Sequence, residues 1–264
     1  MAIQSDLFGG DVVKVAVERI RYFEPKEGYY LAFSGGKDSV CIKALADMAG
    51  VKYDAHLAVT GIDPPELYKF VREHHPDVQW DKPGREHGGF FEAIMKFGFP
   101  TRRVRWCCRY MKESGGDGRR IMTGVRAAES TLRSKRKMVE TSNKQGNRTW
   151  YLHAIFDWTD DDVWNFIKAN EIPYCELYDE GLDRLGCIGC PMAREGRRGQ
   201  FRRWPKYERA WRSAFRRLFG AFKARDHKLI KQWGWQDGDA MFEWWLSDDN
   251  GTKYDEEQCT FKFD

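Results

Sequence analysis

An apolar run, Tyr29-Tyr30-Leu31-Ala32-Phe33, leads directly into Ser34-Gly35-Gly36-Lys37-Asp38-Ser39, and Val40-Cys41-Ile42-Lys43-Ala44-Leu45-Ala46 follows at once. A buried strand, a glycine turn and a helix start in immediate succession leave little choice of structure, and they predict the strand–loop–helix of an anion cradle. The glycines let the backbone approach an anion closely, while amides at the turn and the helix N-terminus direct partial positive charge at it. Lys37 adds a full charge. The loop is not a Walker A loop, which needs four residues between its first glycine and Gly-Lys-Ser/Thr.

Strand-like and helix-like stretches alternate around that loop, which predicts a parallel sheet covered by helices. The expected strands are Tyr29–Phe33, Tyr53–Val59, Val78–Trp80, Arg120–Val125 and Tyr151–Phe156, and the expected helices include 40–48, 65–75 and 89–97. The phosphate loop then sits at a strand C-terminus, where open α/β sheets bind ligands. Thr159 reads as the N-cap of a helix through Lys168, with Asp160, Asp161 and Asp162 as acids of its first turn. The polar, basic stretch Arg133–Arg148 reads as a mobile loop flanking the site. Apolar residues at helical spacing from Phe201 onward predict a helical C-terminal extension, dividing the chain into an α/β domain over 1–192 and an extension over 193–264.

With 264 residues and 42% hydrophobic residues, the composition is that of a globular protein rather than a disordered one. No apolar stretch approaches the roughly 20 residues of a membrane span. Met1–Asp11 lacks the basic start and apolar run of a signal peptide, so the expected location is cytoplasmic, without membrane association.

Seven cysteines in such a chain point to metal or redox chemistry more than to disulfide bridges. Cys187-Ile188-Gly189-Cys190 has the spacing that turns two thiolates toward one metal centre, and Cys107-Cys108 supplies a second pair. Adjacent cysteines suit the separate iron corners of a [4Fe-4S] cluster better than one zinc ion, with zinc and purely structural thiols as the alternatives. Arg102, Arg103, Arg105, Arg109 and Lys112 would offset a cluster's negative charge. Cys41 reads as a small buried residue, Cys175 as a core or loop cysteine, and Cys259 either as structural or as a mobile nucleophile.

The net charge of +4 conceals a basic segment between Arg194 and Lys231, interleaved with Phe201, Trp204, Tyr207, Trp211, Phe215 and Phe219. Such a mixture suits either nucleic acid, through phosphate contacts and base stacking, or an amphipathic helix with a buried aromatic face and a solvated basic one.

Together, residues 34–39 and the two cysteine pairs resemble the phosphoadenosine phosphosulfate (PAPS) reductase family, a branch of the N-type ATP pyrophosphatases, or PP-loop superfamily. Thr60-Gly61-Ile62-Asp63-Pro64-Pro65-Glu66-Leu67-Tyr68, Thr123-Gly124-Val125-Arg126-Ala127-Ala128-Glu129-Ser130 and Asp157-Trp158-Thr159 through Trp164 extend the resemblance over about residues 25 to 192. It implies a five-stranded parallel α/β fold of the adenine nucleotide alpha hydrolase-like type. The adenosine would lie near Phe33, Val59, Thr60, Gly61 and Gly124, with its phosphates on Ser34, Gly35, Gly36, Lys37, Asp38 and Ser39 and on Arg126. Cys107, Cys108, Cys187 and Cys190 resemble the ligands of [4Fe-4S] in adenylylsulfate reductases and in relatives that modify DNA with sulfur.

Two departures shape the functional expectation. Sulfonucleotide reductases of the family carry a C-terminal Glu-Cys-Gly-Leu-His, where this chain has Glu257-Gln258-Cys259-Thr260-Phe261. The complete Ser-Gly-Gly-Lys-Asp-Ser resembles ATP-cleaving and sulfur-transferring relatives, which implies ATP with Mg2+ shielding the triphosphate. The leading expectation is an ATP pyrophosphatase that activates an acceptor for sulfur transfer, with Lys37 and Arg126 as catalytic groups and an electron or sulfur donor protein as partner. The alternatives are an adenylylsulfate (APS) or phosphoadenylylsulfate (PAPS) reductase using Cys259, and a noncatalytic redox-sensing nucleic-acid-binding protein.

Overall fold

The computed structural model describes residues 11–144, 147–193 and 196–247. Along the chain run α1 (Val12–Tyr22), β1 (Tyr29–Ala32), α2 (Lys37–Ala49), β2 (Tyr53–Ala58), α3 (Pro65–His74), β3 (Gln79–Asp81), α4 (Phe90–Phe97), β4 (Arg120–Thr123), α5 (Thr131–Ser134), β5 (Val139–Lys144), β6 (Asn147–His153) and α6 (Asp160–Ala169). The helices α7 (Arg197–Arg203), α8 (Pro205–Ala224), α9 (Lys228–Trp233) and α10 (Gly238–Leu246) follow.

The sheet has six strands in the order β3-β2-β1-β4-β6-β5. Five are parallel, and β5 is antiparallel to β6, with Val139 opposite Leu152 and Lys144 opposite Asn147. The expected five-stranded sheet is therefore corrected to six, and the expected loop over Arg133–Arg148 contains part of α5, all of β5 and the start of β6. An edge strand needs only half its surface buried, and Val139-Glu140-Thr141-Ser142-Asn143-Lys144 carries no apolar run to announce it. The central strand β1 is the opposite case, with Tyr29, Tyr30 and Leu31 all buried.

Contacts divide the chain into two compact units, which interleave in sequence. The first (1–58, 65–81 and 114–185) contains the whole sheet. There α2 packs against α1 and α6, buries Val40, Cys41, Ile42, Leu45 and Ala49, and ends at Gly50, whose φ of 68° closes the helix in the left-handed conformation. Tyr29 ties β1 to α1, its hydroxyl donating to the Ile20 carbonyl at 2.8 Å.

The second unit (59–64, 82–113 and 186–264) is built on α8, which packs against α4, α7 and α10. Trp211, Phe215, Leu218 and Phe222 recur at helical spacing and are buried. Trp211 stacks on Trp245 at 4.7 Å, Phe215 on Phe99 at 5.2 Å, and Phe90 meets Trp211 edge-on at 5.1 Å. Each such side chain contributes about 1.5–3 kcal/mol through burial. This partition of contacts differs from the expected division by chain order at 192/193, because 59–64 and 82–113 group with the C-terminal helices. Among the described residues no helix is long and apolar enough to cross a membrane.

Candidate functional site

The loop over residues 34–39, expected to cradle phosphate, lies in the first unit and is held by several contacts. Phe33 is buried, donates its amide to the His56 carbonyl at 2.9 Å, and packs on the His75 ring at 4.8 Å. Gly35 has φ of +75°, and a Cβ there would stand 2.6 Å from Leu67 Cδ1. Ser39 donates its hydroxyl to the Gly36 carbonyl at 2.8 Å and lies 3.2 Å from the Ser34 hydroxyl. At Gly124, just after β4, a Cβ would lie 2.9 Å from the backbone carbonyl of Asp38. Glycine is needed at that position for close approach rather than for turn freedom.

Lys37 opens α2 and is buried, while its amide donates to the Tyr178 hydroxyl at 2.9 Å. Burial pushes the Tyr178 phenol up, so it remains neutral. Arg126 is 1% exposed and makes three contacts: Nε donates to Asp38 Oδ1 at 2.7 Å, Nη2 to Asp160 Oδ1 at 2.8 Å and Nη1 to the Trp158 carbonyl at 3.2 Å. Lys37 Nζ stands 3.3 Å from the same Asp160 oxygen and 3.8 Å from Asp38 Oδ2. Burial opposes the Asp160 charge, but Arg126 and then Lys37 hold its carboxyl below the usual range. Two cations and two carboxylates therefore balance at the N-terminus of a 13-residue helix.

The sequence reading missed Asp160 and Tyr178 as members of this site. Thr159 is the N-cap as expected, but Asp162 completes the reciprocal cap, its carboxylate accepting from the Thr159 amide at 2.8 Å. Asp160 is left to face Lys37 and Arg126. Three acids where a cap needs one were a signal of surplus, though not of its use. Of the expected nucleotide residues, Phe33, 34–39, Gly124 and Arg126 belong to the first unit, whereas Val59, Thr60 and Gly61 belong to the second. There Thr60 is buried and donates its hydroxyl to Asp63 Oδ2 at 2.6 Å.

All four expected metal-binding cysteines fall in the second unit. Cys107 and Cys108 lead into a π-helical turn over Cys108–Lys112, a rare geometry that recurs at functional sites. The Cys187–Cys190 turn is clamped from several directions: the Ile188 amide donates to the Ile62 carbonyl at 2.7 Å, and Trp211 Nε1 donates to the Ile188 carbonyl at 3.2 Å. Gly189 has φ of +79°, and a Cβ there would stand 2.7 Å from Phe201 and 2.8 Å from Trp211. Cys187 donates to Asp63 Oδ1 at 3.5 Å, and Lys112 Nζ lies 3.5 Å from that oxygen.

The four thiols also interact electrostatically with one another. The hydrogen bond with Cys107, and then Arg105, draw the Cys108 thiol down, and the same hydrogen bond followed by burial pushes Cys107 up. Burial pushes Cys187 up to about 12, with Lys112 opposing. The six described cysteines are free thiols, and among the described residues no three His, Cys, Asp or Glu side chains are already arranged around a metal position. In donor chemistry the set fits an iron-sulfur cluster: four soft thiols in one unit beside the cations Arg105 and Lys112. Cys41 and Cys175 are buried, whereas Cys259 lies outside the described residues, as do Arg194 and Glu195.

Part of the basic segment resolves into internal pairs. Arg212 binds Glu208, Asp239 and Glu243, Arg216 binds Asp239, and Arg217 binds Glu92 through two hydrogen bonds of 2.7 and 2.6 Å. Arg197 stacks on Trp245 at 4.2 Å. Phe201, Trp204, Trp211, Phe215 and Phe219 are buried, which withdraws them from base stacking and favours the amphipathic-helix reading.

The chain is 29% identical over 228 residues to an uncharacterized protein of Methanocaldococcus jannaschii, covering 80% of this chain and 45% of that protein. It is 31% identical over 126 residues to an adenosine 5'-phosphosulfate reductase of Neisseria meningitidis, covering 44% and 50% respectively. The chain thus spans about half the length of these relatives. A Candida glabrata FMN adenylyltransferase mutant superposes with a TM-score of 0.51 at 14% identity, covering 72% of this chain and 66% of that one, a likeness of fold. Residues 28–193, more than half of the chain, match the phosphoadenosine phosphosulfate reductase domain, and the chain belongs to that family.

Proposed function

We propose that this protein takes ATP on residues 34–39, breaks the bond between its α and β phosphates, and transfers AMP to an acceptor that is then open to sulfur transfer. The observation that carries this reading is the buried Lys37 in the first turn of α2, behind two glycines and beside an intact Asp38. Lys37 stabilises the charge that develops on leaving pyrophosphate, the Ser34 hydroxyl and loop amides hold the phosphate oxygens, and Arg126 offers its charge to the α-phosphate. The acceptor's nucleophilic oxygen or nitrogen forms the new bond to the α-phosphorus as the bond to pyrophosphate breaks. Mg2+ enters as the counter-ion of the triphosphate.

Cys107, Cys108, Cys187 and Cys190 would hold a [4Fe-4S] cluster, which when bound supplies electron or sulfur chemistry. An electron or sulfur donor protein would then complete the cycle. Pyrophosphate release from ATP in the presence of candidate acceptors tests the reading, with Lys37→Ala as the variant expected to lose it.

A second reading is favoured by the named APS reductase relatives: reduction of APS or PAPS to sulfite, with Cys259 as nucleophile. Sulfite formation from a sulfonucleotide plus thiol, without pyrophosphate release from ATP, would replace the first reading by the second. A Cys259→Ser variant that retained full sulfite formation would remove the nucleophile from it.

A further inference from the structure

We propose that the Asp160 carboxylate is a resident competitor of the nucleotide: it occupies the two cations that an incoming phosphate must meet, and nucleotide binding displaces it. The proposal rests on reading residues 34–39 as the phosphate site and adds a determinant of its affinity.

A single oxygen, Asp160 Oδ1, receives Arg126 Nη2 at 2.8 Å and stands 3.3 Å from Lys37 Nζ. The partners differ sharply in freedom. The Asp160 side chain is 63% exposed, whereas those of Lys37 and Arg126 are 8% and 1% exposed. An exposed acid on buried cations is the member that can leave. Asp38 is less free, since its backbone lies against Gly124 and its side chain is 23% exposed. Nor is Asp160 needed to cap α6, because Thr159 and Asp162 do so reciprocally. Rotation of its side chain frees both cations while the cap keeps the helix in place.

A phosphate oxygen is also an anionic hydrogen-bond acceptor, so it can take over the same guanidinium and ammonium contacts. The charge count supports the exchange. Lys37 and Arg126 balance Asp38 and Asp160, and removal of the Asp160 charge leaves a net positive charge beside the α2 N-terminus, where an anion is favoured. Asp160 therefore keeps the empty site neutral and weakens phosphate binding by the same contact.

Calorimetric titration of Mg2+-ATP and of inorganic pyrophosphate into the full chain tests this. Asp160→Asn is expected to bind both about tenfold more tightly than the wild type, the effect of one removed charge after solvent screening. Asp160→Glu should restore wild-type affinity and Asp161→Asn leave it unchanged. Asp160→Ser, compatible with a helix first turn, repeats the measurement if the asparagine variant does not fold. Tighter binding is a result that structural damage would not produce. Weaker or unchanged affinity in the Asn and Ser variants, with wild-type ATP binding intact, overturns the proposal alone. Failure of the wild type and variants alike to bind any of ATP, APS, PAPS or pyrophosphate overturns the phosphate-site reading, and this proposal with it.

Discussion

Replacing Gly124 by alanine puts a methyl carbon 2.9 Å from the Asp38 backbone carbonyl, where ordinary contact begins at 3.4 Å, so the two segments must part by 0.5 Å (3.4 − 2.9). A side-chain tip could rotate away, but the obstacle here includes backbone in the first turn of α2. The end of β4 or the phosphate loop itself has to move. Overpacking of this kind costs about 1–3 kcal/mol, which at this chain length lowers the melting temperature by roughly 2–4 °C for each kcal/mol. The same movement lengthens the 2.7 Å contact between Arg126 and Asp38 and misplaces Lys37, for which about a tenfold loss in turnover or nucleotide affinity is expected. Urea denaturation followed by tryptophan fluorescence, together with ATP titration, measures both effects. Gly50→Ala is the control: it has φ of 68° but nothing within 4 Å of its added Cβ, so it should cost about 1 kcal/mol while leaving nucleotide affinity unchanged. Gly124→Ala with wild-type stability and affinity would refute the argument that close approach, rather than chain flexibility, requires glycine there.

Three further outcomes follow from other parts of the molecule. Burial, and then Lys43, lower the His75 pKa to about 4, so the native ring stays neutral while the unfolded one takes up a proton near pH 6.5. Stability should therefore be unaffected by this group above pH 6.5 and fall by on the order of 2 kcal/mol between pH 6.5 and 4; His75→Phe should flatten that part of the denaturation profile. Serine replacement of both Cys187 and Cys190 is expected to abolish iron and acid-labile sulfide in anaerobically purified protein, whereas Cys41→Ser leaves both, and a wild type containing zinc alone rejects the cluster. Trp211→Ala, at the centre of the α8 core, should cost about 3–5 kcal/mol in chemical denaturation, and a loss under 1 kcal/mol would show that its contacts are dispensable.

What the sequence disclosed was what neighbouring residues determine together. Tyr29–Phe33, the two glycines and the apolar face of α2 are contiguous, so their periodicity announces strand, turn and helix without tertiary information. Asp160 and Tyr178 are far along the chain from Lys37, and Asp160 had an adequate local explanation, as a first-turn acid of α6, that concealed its distant partners. β5 escaped notice for another reason: an edge strand of Glu, Thr, Ser, Asn and Lys has the composition of a loop. The basic segment shows the same difficulty. Arg217 faces Glu92, 125 residues away, and Arg216 faces Asp239, so part of an excess of charge along the chain is compensated in space. The interleaving of 82–113 with the C-terminal helices rests on aromatic contacts such as Phe99 with Phe215, which no local pattern encodes.

If residues 34–39 are the phosphate site proposed above, the arrangement around Lys37 also explains why such a site should contain acids. An ammonium and a guanidinium buried without counter-charges would each carry a desolvation penalty of several kcal/mol, and the loop would have to open toward water or unfold locally to relieve it. Asp38 and Asp160 remove that penalty, so Lys37 and Arg126 can remain buried and oriented before a ligand arrives. Their geometry then need not be built during binding, which favours affinity, while the anions already present oppose it. The balance differs for the two acids: Asp38 is fixed by the backbone of α2, and Asp160 reaches in from solvent. Recognition at such a site is an exchange of anions around two fixed cations rather than addition of an anion to a bare positive pocket. The acid that is free to leave therefore sets how strongly phosphate binds without contributing to the bound state.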